Sequence, residues 1–198
     1  MKITGITQQQ KHPERYSVFI DGAYAFSLGE AALISSKLHH GQELKPKQAG
    51  ELKLLASGDK LYGQACRYIA LRVRTAWEVS RYLERKQAPP ALASELLNKL
   101  SNIGLIDDAQ YAKVYIHDRQ LLRPTSRLKI AFELRKKHVA EEIIEAALNA
   151  SEEIEQTALS DLIERKRQQS RYKDDLKLMQ YLARQGFHYS DIKKALGK

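Results

Sequence analysis

Along the first 28 residues apolar and polar side chains alternate, whereas beyond residue 60 apolar positions recur every three to four residues. Tyr16, Val18 and Ile20 fall on one face of an extended segment and Tyr24, Phe26 and Leu28 on one face of another, with Asp21-Gly22 between them. Asp-Gly accepts the positive φ angles of a tight turn, so this segment is read as a β-hairpin. Lys2–Thr7, with Ile3 and Ile6, adds a third strand. A lone hairpin is barely stable in water and needs a support, here a helical pair at about Gly29–Leu38 and Pro46–Ala56, with Pro46 in the first turn of the second helix. Ala56-Ser57-Gly58-Asp59 reads as a break, Asp59 capping the helix that follows.

The helical part repeats itself. A shift of 51 residues places Trp77, Val79 and Leu83 on Leu128, Ile130 and Leu134, and a further shift of 48 places these on Leu176, Leu178 and Leu182. Leu97, Leu148 and Leu196 each lie 14 residues beyond the third member of their set. A polar break intervenes each time: Lys86-Gln87-Ala88, Lys137-His138-Val139 and Gln185-Gly186-Phe187. Each repeat is thus a helix, a tight turn and a second helix, with one more helix upstream, at about Leu61–Leu71, Asp108–Leu122 and Glu153–Ser170. The third copy departs once, with Asp191 where Leu92 and Ile143 stand.

The expected fold is mainly α: three tandem three-helix repeats in an elongated, curved array behind a small N-terminal β-hairpin/α domain. The expected divisions are residues 1–58 for the N-terminal domain, then 59–104, 105–151 and 152–198 for the repeats.

Charge sharpens this picture. The 198 residues carry 33 Lys and Arg against 24 Asp and Glu, a net +9, which points to an acidic partner. Residues 1–60 are net +2, 61–137 net +8, 138–155 net −6 and 156–198 net +5. No apolar run approaches the roughly 20 residues that span a bilayer, and the N-terminus lacks the pattern of a signal peptide, so a soluble, cytoplasmic protein is expected. Cys66 is the only cysteine, which excludes an internal disulfide and a Cys-rich zinc site.

Ser101–Ala112, with Gly104, the apolar pair Leu105-Ile106, Asp107-Asp108 and Tyr111-Ala112, follows a three-helix repeat and joins it to the next. This stretch resembles the RecX family of recombinase regulators. Arg127-Leu128, Glu133–Lys137 and Ile143–Leu148 extend the resemblance, which covers about residues 61–198. The Asp-Gly hairpin and Tyr24-Ala25-Phe26-Ser27 look like the amino-terminal extension of many members. Two turns depart from the family: Lys137-His138-Val139, where Lys-Gly is usual, and Pro124-Thr125-Ser126 in place of a Gly-containing connection. The resemblance implies a non-enzymatic, cofactor-free, monomeric modulator of the RecA recombinase in DNA recombination, repair and the SOS response. Such a protein lodges along the RecA–DNA filament, mainly inhibits strand exchange and ATP turnover, and binds single- and double-stranded DNA weakly and nonspecifically.

Candidate chemistry is sparse. Asp107-Asp108 is read as a helix start, because adjacent carboxylates on a helix diverge by about 100°. His39 and His40 lack a third ligand, Cys66 is read as a small core residue, and no Gly-rich phosphate loop occurs. The basic residues remain. Arg67, Arg72, Arg74, Arg81, Arg85 and Lys86 gather near the helix junction of the first repeat. Arg119, Arg123, Arg127, Lys129, Arg135, Lys136 and Lys137 do so in the second, and Arg165, Lys166, Arg167, Arg171 and Lys173 in the third. Aligned, they would form a basic stripe for phosphates or an acidic protein surface. Tyr68, Trp77 and Tyr82 are candidates for base stacking, although Trp77 holds a repeat position expected to be buried. Two competing classes are a stand-alone helix-turn-helix-like DNA-binding protein, which would prefer particular duplex sequences, and a metal-dependent nuclease.

Overall fold

The computed structural model describes residues 1–122, 125–150 and 152–197, the side chains of 152–155 excepted. β1 (Ile3–Gln8), β2 (Arg15–Ile20) and β3 (Ala23–Gly29) form one antiparallel sheet in that order. Asp21 and Gly22 take φ of 49° and 82°, the left-handed pair that a two-residue hairpin needs. The expected alternation is broken twice, between Ile3 and Gly5 of β1 and again within β3. Val18 pairs with Phe26 but Phe19 with Tyr24, so Ala25 is an extra residue in β3. The bulge turns Tyr24 out, 59% exposed and edge-on to Phe19, and brings Ala25 to the core that Phe26 and Leu28 share with Ile3 and Val18.

The short helix α1 (Glu30–Ser36) precedes α2 (Pro46–Ala70), and here the expected break at 56–59 is corrected: α2 runs straight through it. Asp59 does not cap a helix. Its carboxylate accepts Arg15 Nη1 at 2.9 Å and the backbone N–H of Gly29 at 2.8 Å, tying α2 to the sheet. Glycine inside a helix costs about 1 kcal/mol relative to alanine. Gly58 is explained by packing, since a Cβ there would sit 3.3 Å from Leu92 Cδ1.

The remaining elements are α3 (Ala76–Arg85), α4 (Pro90–Asn102), α5 (Asp108–Leu122), α6 (Arg127–Arg135) and α7 (Glu141–Asn149). After them come α8 (Glu152–Arg167), a 3-10 turn at Ser170–Tyr172, α9 (Asp175–Arg184) and α10 (Tyr189–Ala195). The chain is therefore mainly helical, with tandem three-helix repeats behind a small three-stranded sheet. It forms two compact bodies: Met1–Arg72 with Val79–Leu105, and Val73–Glu78 with Ile106 onward.

The positions four apart are the core positions. Val79 and Leu83, Ile130 and Leu134, and Leu178 and Leu182 are all at most 1% exposed. The first member of each set is not buried: Trp77 is 38% exposed, Leu128 57% and Leu176 69%. The reason is angular, because a residue two before a core position lies about 200° round the helix from it. Asp191 replaces Leu92 and Ile143 without penalty, since those two are only half-buried and Asp191 is exposed.

The turns repeat atom for atom in kind. Gln87, His138 and Gly186 take φ of 58°, 56° and 90°. The next residue's N–H returns to a carbonyl five back in each: Ala88 to Leu83, Val139 to Leu134 and Phe187 to Leu182. This is the helix end that satisfies orphan carbonyls through one left-handed residue. The departure at His138 from the glycine usual in the family leaves that geometry unchanged.

Candidate functional site

The junctions where the basic residues gather are built by N-caps that lie outside the repeated apolar positions. Thr75, Ser126 and Asp174 occupy equivalent positions, 51 and then 48 residues apart. Thr75 Oγ1 accepts the N–H of Glu78 at 3.2 Å and Glu78 returns a carboxylate oxygen to the Thr75 N–H, a capping box. Ser126 Oγ accepts the Lys129 N–H, and Asp174 accepts those of Leu176 and Lys177. The sequence signal was available: a Thr, Ser or Asp two residues before the first member of each repeated set.

These caps also bind the turns. Thr75 Oγ1 donates to the Lys137 carbonyl at 3.1 Å, and Lys137 Nζ reaches Glu78 at 3.1 Å. One repeat later Ser126 Oγ donates to the Gln185 carbonyl at 2.7 Å, and Lys129 Nζ reaches the Gln185 amide oxygen at 3.0 Å. Trp77 stacks on His138 with ring centroids 4.2 Å apart. Of the paired aspartates, Asp107 caps α5 through the N–H of Gln110. Asp108 accepts the N–H of Ala76 at 2.8 Å, in the first turn of α3. Burial pushes the Asp108 carboxyl above the usual aspartate range; the Ala76 N–H opposes this, while Asp107 and Glu78 add to it.

The predicted basic residues divide by their surroundings. In the first compact body Arg67 is exposed with Glu14 at 3.6 Å, and Arg81 pairs with Glu84. Arg85 and Lys86 are exposed, Lys86 lying 5.6 Å from the Tyr82 ring centroid. Arg72 there, and Arg74 in the second body, have intramolecular partners. Tyr68 and Tyr82 stack on each other at 4.2 Å, so each covers one face of the other.

In the second body several cations are tied into the fold. Arg119 pairs with Glu133 at 2.8 Å and donates to Tyr115, whose hydroxyl also donates to Glu133. Arg127 donates to Asn149, Arg135 forks onto Glu141, and Arg167 reaches the carbonyl of Lys173 and the carboxylate of Asp175. Lys136 lies over Phe132, and Arg171 near Tyr172. Arg123 falls outside the described residues. Arg119, Lys129, Arg165 and Lys166 line a groove of about 530 Å³ between the second and third repeats.

Among the described residues no three His, Cys, Asp or Glu side chains converge as metal ligands, and no helix is long and apolar enough to cross a membrane. Cys66 is a half-buried free thiol.

Tandem three-helix repeats behind a small three-stranded sheet define a helical-repeat protein. Residues 1–45 match the family model "Regulatory protein RecX N-terminal domain" and 107–148 match "RecX, second three-helix domain". The chain belongs to the RecX family. It is 33% identical over 148 residues to the regulatory protein RecX of Lactobacillus delbrueckii subsp. bulgaricus, covering 75% of this chain and 55% of that one. With RecX of Bacillus pumilus it shares 27% identity over 98% of this chain and 76% of the other. It thus spans little more than half the length of the first of these relatives. A crystal structure of regulatory protein RecX superposes with a TM-score of 0.78 at 28% identity, over 100% of this chain and 99% of that one. RecX from Lactobacillus salivarius gives 0.64 at 26%, over 71% and 94%.

Proposed function

We propose that this chain is a cytoplasmic, non-enzymatic and cofactor-free regulator that binds the RecA–DNA filament and restrains strand exchange and ATP hydrolysis. The observation that carries this reading is membership of a family of regulatory proteins, joined to a surface whose excess cations gather at repeated helix junctions. Arg67, Arg85 and Lys86 in the first repeat and Arg165, Lys166 and Arg171 in the third are the exposed or half-exposed cations best placed to meet phosphates or acidic subunit surface. Contacts of this kind supply salt-sensitive affinity without reading sequence, so weak binding to single- and double-stranded DNA accompanies the main interaction. The repeats at 59–104, 105–151 and 152–198 are proposed as the binding body, with 1–58 attached to the first through α2.

The test is RecA-dependent strand exchange and ATP hydrolysis with and without sub-stoichiometric protein. Inhibition of both is expected; no effect on either overturns the assignment. Selection from a random duplex pool separates the stand-alone DNA-binding alternative, which alone predicts a preferred sequence.

A further inference from the structure

We infer that the groove between the second and third repeats docks an acidic peptide segment that also carries apolar side chains. Three of its four cations are left without carboxylates. Lys129 meets only the neutral amide of Gln185, and Lys166 lies over the rings of Tyr181 and Tyr172 at 4.8 and 5.4 Å. Arg165 is exposed and has no partner among the described residues. Arg119 alone is neutralised, by Glu133. Three uncompensated positive charges around a space of about 530 Å³ repel one another, and a concave wall focuses their field on whatever enters.

The lining is not purely cationic. Leu122 stands at the rim, 77% exposed, and Leu162 lies in the wall, 8% exposed. A phosphate backbone would satisfy the cations and leave Leu122 in water. An acidic peptide with leucine-like side chains satisfies both, because carboxylates meet Lys129, Arg165 and Lys166 while an apolar side chain covers Leu122. Base stacking has little to gain there, since the Tyr181 ring in the lining already packs against Tyr172 at 5.1 Å and under Lys166. The inference needs only this groove and stands apart from the recombinase reading.

Fluorescence anisotropy of the full chain tests it, with two fluorescein-labelled probes. One is a synthetic dodecapeptide of Asp and Glu with two leucines four positions apart, and the other a twelve-nucleotide oligothymidylate. The peptide is expected to bind. Arg165→Glu should weaken it roughly tenfold, and Leu122→Ser about threefold to tenfold with the salt dependence unchanged. Leu122→Ser should leave oligothymidylate binding as it was. Both side chains are exposed, and Arg165→Gln and Leu122→Gln serve as second variants if either protein unfolds early. A peptide that does not bind, or whose binding ignores both positions, overturns the inference. So does oligothymidylate that displaces the peptide and loses affinity equally on Leu122→Ser, which would make the groove a nucleic-acid site.

Discussion

The Thr75 hydroxyl donates to the Lys137 carbonyl at 3.1 Å, and the Ser126 hydroxyl makes the same bond to the Gln185 carbonyl at 2.7 Å. Each hydroxyl also accepts a helix N-terminal N–H, so a single oxygen caps one helix and holds the turn of another. Both residues are fully buried. Ser126→Ala leaves an N–H and a carbonyl unpaired in the interior, at a cost of about 1–3 kcal/mol. Thr75→Val, which keeps the shape, should cost a similar amount. Chemical denaturation checks both, and a destabilisation below about 0.5 kcal/mol, a value typical of surface changes, would show the bonds to be idle.

Gln87 and Gly186 occupy equivalent left-handed turn positions and should respond in opposite directions to substitution. At Gly186 a Cβ would lie 2.4 Å from Ser126 Oγ, on a backbone with φ of 90°. Gly186→Ala is therefore expected to lose at least about 2 kcal/mol, the left-handed penalty plus the displaced cap. Gln87 is exposed with φ of 58°, and Gln87→Gly should gain up to about 1 kcal/mol by relieving that penalty. Thermal unfolding of the two variants decides it, and a shift of the same sign in both contradicts the account.

Most of the architecture was legible because three copies of one pattern constrain each other. The pairs Val79 and Leu83, Ile130 and Leu134, and Leu178 and Leu182 are core wherever the helix period places them. What escaped depended on tertiary partners. Ser57 and Gly58 look like a helix end until Leu92 is seen against Gly58, and Asp59 looks like a cap until Arg15 and Gly29 are seen to hold it. The bulge at Ala25 leaves no trace in a two-residue alternation. Trp77 shares an aligned apolar position without belonging to the core, because it lies two residues from Val79 and so faces the other way. Of the basic residues, the sequence showed their clustering but not that Arg119, Lys137 and Arg167 are held by Glu133, Glu78 and Asp175.

Asp108 gives the molecule a pH dependence with a definite sign. Burial raises its carboxyl pKa in the folded chain, so the folded state holds the proton more tightly than the unfolded one. The stability from this group is full below the unfolded value of about 3.9 and is lost as pH rises through the folded pKa. Asp108→Asn keeps an oxygen for the Ala76 N–H and removes the titration. The variant should melt no lower than the parent at pH 7, and its advantage should shrink towards pH 4. A variant that melts lower at pH 7 would show that the negative charge, facing the first turn of α3, contributes more than its burial costs.

Arg15 and Asp59 form an ion pair whose side chains are only 10% and 20% exposed. Asp59→Ala strands the guanidinium in the interior and frees the Gly29 N–H, so a destabilisation of about 3–5 kcal/mol is expected. Arg15→Met and Asp59→Asn together should recover part of it, because neither partner is then left charged. Urea titration of the single and double variants tests the pair, and strict additivity would deny the coupling.

Arg85 and Lys86 separate binding from folding. Both are exposed; Lys86 lies near Tyr82, and among the described residues the Arg85 side chain makes no bond that holds the turn. Exposed charges contribute roughly 0–1 kcal/mol to stability, so Arg85→Glu with Lys86→Glu should leave the melting temperature within a few degrees. If these side chains meet phosphates of a nucleoprotein filament, inhibition of RecA-dependent strand exchange should weaken. The salt dependence of DNA binding should also become shallower, by about one unit of slope for every phosphate that these two side chains neutralise. An unchanged inhibition curve beside an unchanged melting temperature would remove this turn from the binding face and leave the third-repeat cations to carry it.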